Sequence, residues 1–279
     1  MGSVKLKRLL GLFSICMKMD LGALLRDTKF MIIALISDIF ADISGISGIF
    51  LLAWKFDGIG GLDRYEVLFM LAFVGIVHGM TAMFGQSNAN VPSRIIARGQ
   101  WEHMFIMPLP YGVQMIAGFF PFTCSGSFIS SIILMVIAVN NLTAALPWWW
   151  IFLLIVNIFV SMVIVLGVSY LVSSFAFYAP VQCEELSSRT RDSLEYTATF
   201  PLSGMPLYMK IPLLTIFPAG LTAWLPTLII LGKTPIIANL YPIIFAVLIS
   251  LAASYFFKKG FRYYVKKGIN RYHSMGHRR

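Results

Sequence analysis

Asp38 and Asp42 stand four residues apart in an otherwise apolar run, and His78 lies inside a second such run. Two carboxylates at i and i+4 share one face of a helix, near Ser37 or Ser44. An ionisable side chain among apolar neighbours marks a functional position by default. Three kinds of chemistry fit these groups: lining a substrate cavity, relaying protons, or making polar contacts with a neighbouring helix or subunit.

Other reactive patterns are missing. His78, His103, His273 and His277 have no zinc-protease spacing. No serine sits in a nucleophile elbow. The stretch Leu231 to Thr234, "LGKT", has Thr227 where a phosphate-binding loop needs its first glycine, so no phosphate cradle forms. Cys16, Cys124 and Cys183 are few and far apart, which suits packing rather than a disulfide framework or a metal site.

The elements that must position these groups are long and apolar. The chain has 279 residues, of which 58% are hydrophobic and 12% charged. A soluble domain carries about twice that share of charge. Six runs are long enough to cross a bilayer: 29–54, 66–87, 111–139, 148–177, 211–232 and 236–257. The fourth is too long to stand upright, so it must tilt, kink or protrude. The fifth holds Pro212, Pro218 and Pro226 and should be broken, with Thr215, Thr222 and Trp224 near the break.

The net charge of +10 is concentrated at the ends. Lys5, Lys7, Arg8, Lys18 and Arg26 precede the first run, and eight Lys or Arg residues with no acid follow the last. That pattern suits lipid headgroups and topology control, not nucleic acid, and it places both termini in the cytosol. The segments 88–110 and 178–210 then fall on the cytosolic side. Residues 4–28 are amphipathic, with Leu6, Leu9, Phe13, Met17, Leu21 and Leu24 at helical steps, and should lie along the interface. Residues 258–272 pattern similarly. The expected organisation is one membrane domain over 1–279: an interfacial helix at 1–28, six spans within 29–257 and a basic cytosolic tail at 258–279.

Between the second and third runs stands "ARGQWEHMFIMPLP", residues 97–110. Together with Gly60, Gly61 and Glu66 before it and Gln114 after it, the set Arg98, Gly99, Glu102, Met107, Pro108, Leu109 and Pro110 resembles permease subunits of ATP-binding-cassette transporters of the type-2 exporter class. Phe200, Pro201, Leu202, Thr215, Pro218 and Pro226 extend the resemblance. Departures fall at Leu62, Trp101, His103 and Met107, which touches the choice of ATPase more than the family.

The resemblance implies an all-α membrane protein with six transmembrane helices, an N-terminal interfacial helix and a cytosolic coupling helix near 90–107. It implies a non-catalytic transport subunit in a bacterial plasma membrane, exporting an amphiphilic, lipidic, peptide or drug-like molecule. Its partners would be ABC ATPase subunits, a second permease (identical or paralogous), membrane lipids and the transported small molecule. ATP and Mg would bind the partner ATPase, leaving no cofactor in this chain. Arg94, Arg98, Gly99, Gln100, Trp101, Glu102 and His103 would contact that ATPase, with Arg94, Arg98 and Glu102 on one helical face that Pro108 and Pro110 end. Asp38, Asp42, His78, Thr215, Phe217 and Trp224 are the translocation-pathway candidates. The rival reading is a proton-coupled secondary transporter built on Asp38, Asp42 and His78. A membrane-integral enzyme is the third.

Overall fold

In the computed structural model, described residues are 2–85, 92–100, 102, 106, 125–143 and 146–267. Helices account for nearly all of them. Helix α1 (Gly2–Arg26) leads into α2 (Thr28–Lys55) through Asp27, whose carboxylate accepts the Phe30 amide at 3.0 Å. This N-cap separates two helices that would otherwise merge.

Helix α3 (Arg64–Gly85) is the central pillar. It is apolar on all sides, and Val67 to Phe73 are all buried, as expected of a helix surrounded by others. It packs closely on α5 (Ser125–Asn141). A β-carbon added at Gly79 would stand 2.7 Å from the Phe128 amide nitrogen, and one at Gly75 would collide with Ser131. Small residues are what let two membrane helices approach this far. Helix α2, by contrast, leaves Phe30, Ile33, Phe40 and Leu51 exposed.

Helix α6 (Trp150–Ser173) continues as a 3-10 turn to Phe177. Its apolar stretch therefore spans 28 residues. Its last turn packs on α4 (Pro92–Ala97) and on the end of α10 (Leu240–Lys267). Ile95, Ile96, Ala176, Phe177 and Tyr264 form a separate small core there. The basic stretch after residue 257 is thus not a separate interfacial strip up to Lys267. It prolongs α10, burying Gly260 and Tyr264 against Phe177. Residues 268–279 lie outside the described residues.

Two expectations are corrected between residues 178 and 232. Helix α7 (Leu186–Ala198) begins beside α4, where Ser187 meets Ser93. Further along, Glu195 meets His78 of α3, and Ser203 and Gly204 then reach the turn at Gly60 that precedes α3. The chain therefore runs from one end of the bundle to the other here, and 178–210 is not a loop on one side.

The following helices, α8 (Leu207–Thr215) and α9 (Leu225–Ile230), are the proline-broken pair expected within 211–232. They are joined by residues 216–219 and a π-helical turn, Gly220–Trp224, and bend by 81°. Both ends of this pair lie beside the turn before α3. Lys210 donates to the Ser203 carbonyl at 2.9 Å, and Lys233 to the Gly61 carbonyl at 3.0 Å. The pair enters and leaves at one end of the bundle, so it is re-entrant and not the fifth span. The charged helix Leu186–Ala198 and the turning chain after it do not read as an apolar run, so nothing in the sequence marks this passage along the bundle.

Candidate polar cavity and the docking segment

Helices α2, α3, α5 and α7 bring their polar groups together around a cavity of about 200 Å³. Its wall includes Asp38, Asp42, His78, Ser127, Asp192, Glu195, Tyr196 and Thr199, with Ile46 and Val74 as apolar neighbours. The three ionisable residues singled out in the sequence thus share one site.

Each carboxylate from α2 is held by α5. Asp38 Oδ2 accepts the Ser127 amide at 2.7 Å and the Ser127 hydroxyl at 2.8 Å. Asp42 Oδ2 accepts the hydroxyls of Ser130 at 2.5 Å and Ser131 at 3.3 Å. The i,i+4 spacing sets both acids facing one neighbouring helix, whose serines recur at steps that meet them. Hydrogen bonds of this kind fix the acids in place. Contacts with a neighbouring helix and lining of a cavity, posed as alternatives by the sequence, occur together.

On the opposite wall, His78 Nδ1 lies 2.7 Å from Glu195 Oε2. An ionised carboxylate only accepts, so against that form of Glu195 the ring nitrogen is the donor. Glu195 Oε1 is 3.8 Å from Arg191 Nε, one helical turn back, and Arg191 also donates to Asp192 at 2.8 Å. Glu195, Asp192 and Arg191 were missed by sequence reasoning because "RTRDSLEYTATF" reads as a solvated loop. The available signal was Arg191 and Glu195 at i,i+4, with Leu194 and Ala198 on an adjoining apolar face.

Thr215, Phe217 and Trp224 do not join this cavity. They belong to the re-entrant pair. Thr215 is exposed and bonds back to the Ile211 carbonyl at 2.7 Å. Phe217 is half-buried in the turn, and Trp224 Nε1 donates to Ser203 Oγ at 2.9 Å. At the end of that pair Lys233 bonds to the buried Glu66, whose same oxygen accepts the Asp63 amide. The lysine of "LGKT" is occupied by this ion pair.

The expected docking segment departs from one long helix. Helix α4 stops at Gly99, which has φ +73°. The Gly99 amide bonds to the Ile96 carbonyl and the Gln100 amide to the Ile95 carbonyl. This is a Schellman cap, and glycine takes its left-handed position without strain. Arg94, Arg98 and Glu102 are therefore not one continuous helical face. Arg94 forms a two-point pair with Glu185, and Arg98 Nε donates to Glu184 at 2.8 Å. Glu102 accepts the Tyr264 hydroxyl at 2.9 Å. Gln100 is exposed. Trp101, His103, Pro108, Pro110 and Gln114 lie outside the described residues.

A helical bundle with a charged, capped segment at one end and a proline-broken pair at the other is the setting for the comparison with known proteins. The profile of the ABC-2 family transporter proteins matches residues 39–268. The chain belongs to the ABC-2 transporter family. It is a multi-pass membrane protein, and the matched region takes in all of the cavity lining named above except Asp38, the capped segment after α4 and the re-entrant pair. No curated protein and no solved structure matched it.

Proposed function

We propose that this chain is the permease subunit of an ATP-driven exporter, with no catalytic residues of its own. The observation that carries the reading is the cavity: four helices direct acids, a histidine and hydroxyls into one space inside an ABC-2 family bundle. Apolar walls beside hydrogen-bond acceptors suit an amphiphile with a hydrogen-bond-donating head. Six crossings are formed by α2, α3, α5, α6, residues 186–204 and α10. Separate ATPase subunits bind ATP and Mg and dock near 90–107, and a second permease, identical or paralogous, completes the pathway. The membrane is a bacterial plasma membrane, with both termini in the cytosol.

The test is reconstitution with the ATPase. Transport should stop when the ATPase is made hydrolysis-dead and should continue when the proton gradient is collapsed. The reverse pattern would support the proton-coupled carrier built on Asp38, Asp42 and His78. Asp38→Asn and Glu195→Gln should lower transport while leaving ATPase copurification unchanged.

A further inference from the structure

Helix α7 connects the two sites just described. At its start, Ser93 of α4 is fully buried and fully used. Its hydroxyl donates to the Glu184 carbonyl at 2.8 Å and accepts the Ser187 amide at 3.2 Å. The Ser187 hydroxyl, also buried, is 2.6 Å from it. Around this point two ion pairs close: Arg94 on Glu185 through two parallel bonds, and Arg98 on Glu184. Ser188 adds a hydrogen bond to Glu185 at 2.8 Å. Arg94 and Arg98 are one turn apart, and Glu184 and Glu185 are adjacent. The fit therefore fixes the direction of α7 as well as its position. Partly exposed ion pairs contribute little stability singly. A bidentate arginine beside a buried hydroxyl pair instead supplies geometry.

Ten residues further along the same helix is Glu195. At 1.5 Å per residue that is about 15 Å, and there the helix meets His78 at the cavity wall. No glycine or proline interrupts Leu186–Ala198, so nothing in the sequence provides a hinge.

We propose that Glu184 and Glu185 are positioning residues that clamp the docking segment to α7, so that the two move as one body and a shift at the docking segment displaces the Asp192–Glu195 wall of the cavity. This rests on the docking of an ATPase at the segment near 90–107.

The experiment uses the full chain reconstituted with its ATPase, with Cys16, Cys124 and Cys183 replaced by serine and Tyr196→Cys as a maleimide target in the cavity wall. ATP should change the labelling of that cysteine. In Glu184→Gln/Glu185→Gln the ATPase should still copurify and hydrolyse ATP, while the ATP-driven change in labelling is lost. Adding Ser93→Cys and Ser187→Cys to that variant should restore the change on oxidation and abolish it again on reduction, because a covalent link replaces the clamp. A labelling change that survives in the double glutamine variant, or one that the disulfide fails to restore, would overturn the clamp. An ATPase that does not copurify with the unsubstituted chain would instead overturn the docking reading, and the clamp's role with it.

Discussion

His78 Nδ1 and Glu195 Oε2 are 2.7 Å apart, and this bond ties the central helix α3 to a helix whose sequence is among the most charged in the chain. Glu195 keeps only 14% of its side chain exposed, so water cannot readily replace the partners it has. Replacing His78 with Leu should strand that carboxylate beside Arg191 alone and cost about 1–3 kcal/mol. His78→Leu with Glu195→Leu should cost less than the sum of the single changes. Thermal unfolding in detergent measures the cycle, and simple additivity would show that the pair is not coupled.

The re-entrant arrangement fixes which positions share a side. In a cysteine-free background, Gly204→Cys and Thr234→Cys should label from one side of sealed vesicles and Gln182→Cys from the other. Labelling of Gly204→Cys and Gln182→Cys from the same side would return 186–204 to a surface loop.

Lys233 holds the far end of the re-entrant pair to Glu66. Lys233→Met leaves a buried carboxylate with the Asp63 amide as its remaining neighbour, and should lower stability by about 1–3 kcal/mol. Faster maleimide labelling of Thr234→Cys should accompany it. Glu66→Gln combined with Lys233→Met should recover part of the loss, since no uncompensated charge remains.

The Arg94 hydrogen bond, followed by that of Ser188, holds the Glu185 carboxyl below its ordinary value of 4.5. A lowered value in the folded state means that ionised Glu185 stabilises the fold above about pH 4.5. That contribution is lost as pH falls through the lower folded value. The difference in melting temperature between the native chain and Glu185→Gln should therefore be constant near neutrality and shrink in acid below pH 4.5. A difference that grows on acidification contradicts this sign.

Gly79 and Gly48 make a matched pair of tests. Alanine at Gly79 would drive its methyl into the Phe128 backbone, whereas Gly48 has open space around it. Gly79→Ala should destabilise by about 1–3 kcal/mol through forced separation of α3 and α5. Gly48→Ala should be neutral or slightly stabilising, because alanine is the better helix former. Equal melting temperatures for the two variants would show that the α3–α5 contact is looser than described.

Apolar runs made most of the bundle legible. The runs behind α2, α3, α6 and α10 are long and uncharged enough to announce themselves, and the prolines announced the broken pair. Asp38, Asp42 and His78 stood out because each is ionisable among apolar neighbours. What stayed hidden was the element whose polarity is repaid by contacts distant in sequence. Leu186–Ala198 looks solvated until Ser93, Arg94 and His78 are placed against it. The cap at Gly99 was available in principle, since glycine two residues past an apolar helix is a stop signal. The four-residue spacing of Arg94, Arg98 and Glu102 points the other way, toward a helix that continues to Pro108.

On the proposed crossing at 186–204, the polarity of α7 has a consequence for how the protein is made. Arg189, Arg191, Asp192 and Glu195 fall within seven residues. A charged side chain at a helix centre disfavours insertion by about 2.5–3.5 kcal/mol, so this segment will not leave the translocon for lipid by itself. It needs a seat prepared by α3, α4 and α6, all of which are synthesised before it. Damage to α3 should then strand α7 outside the membrane during synthesis, and such variants should be degraded as mis-inserted chains instead of accumulating as inactive transporters.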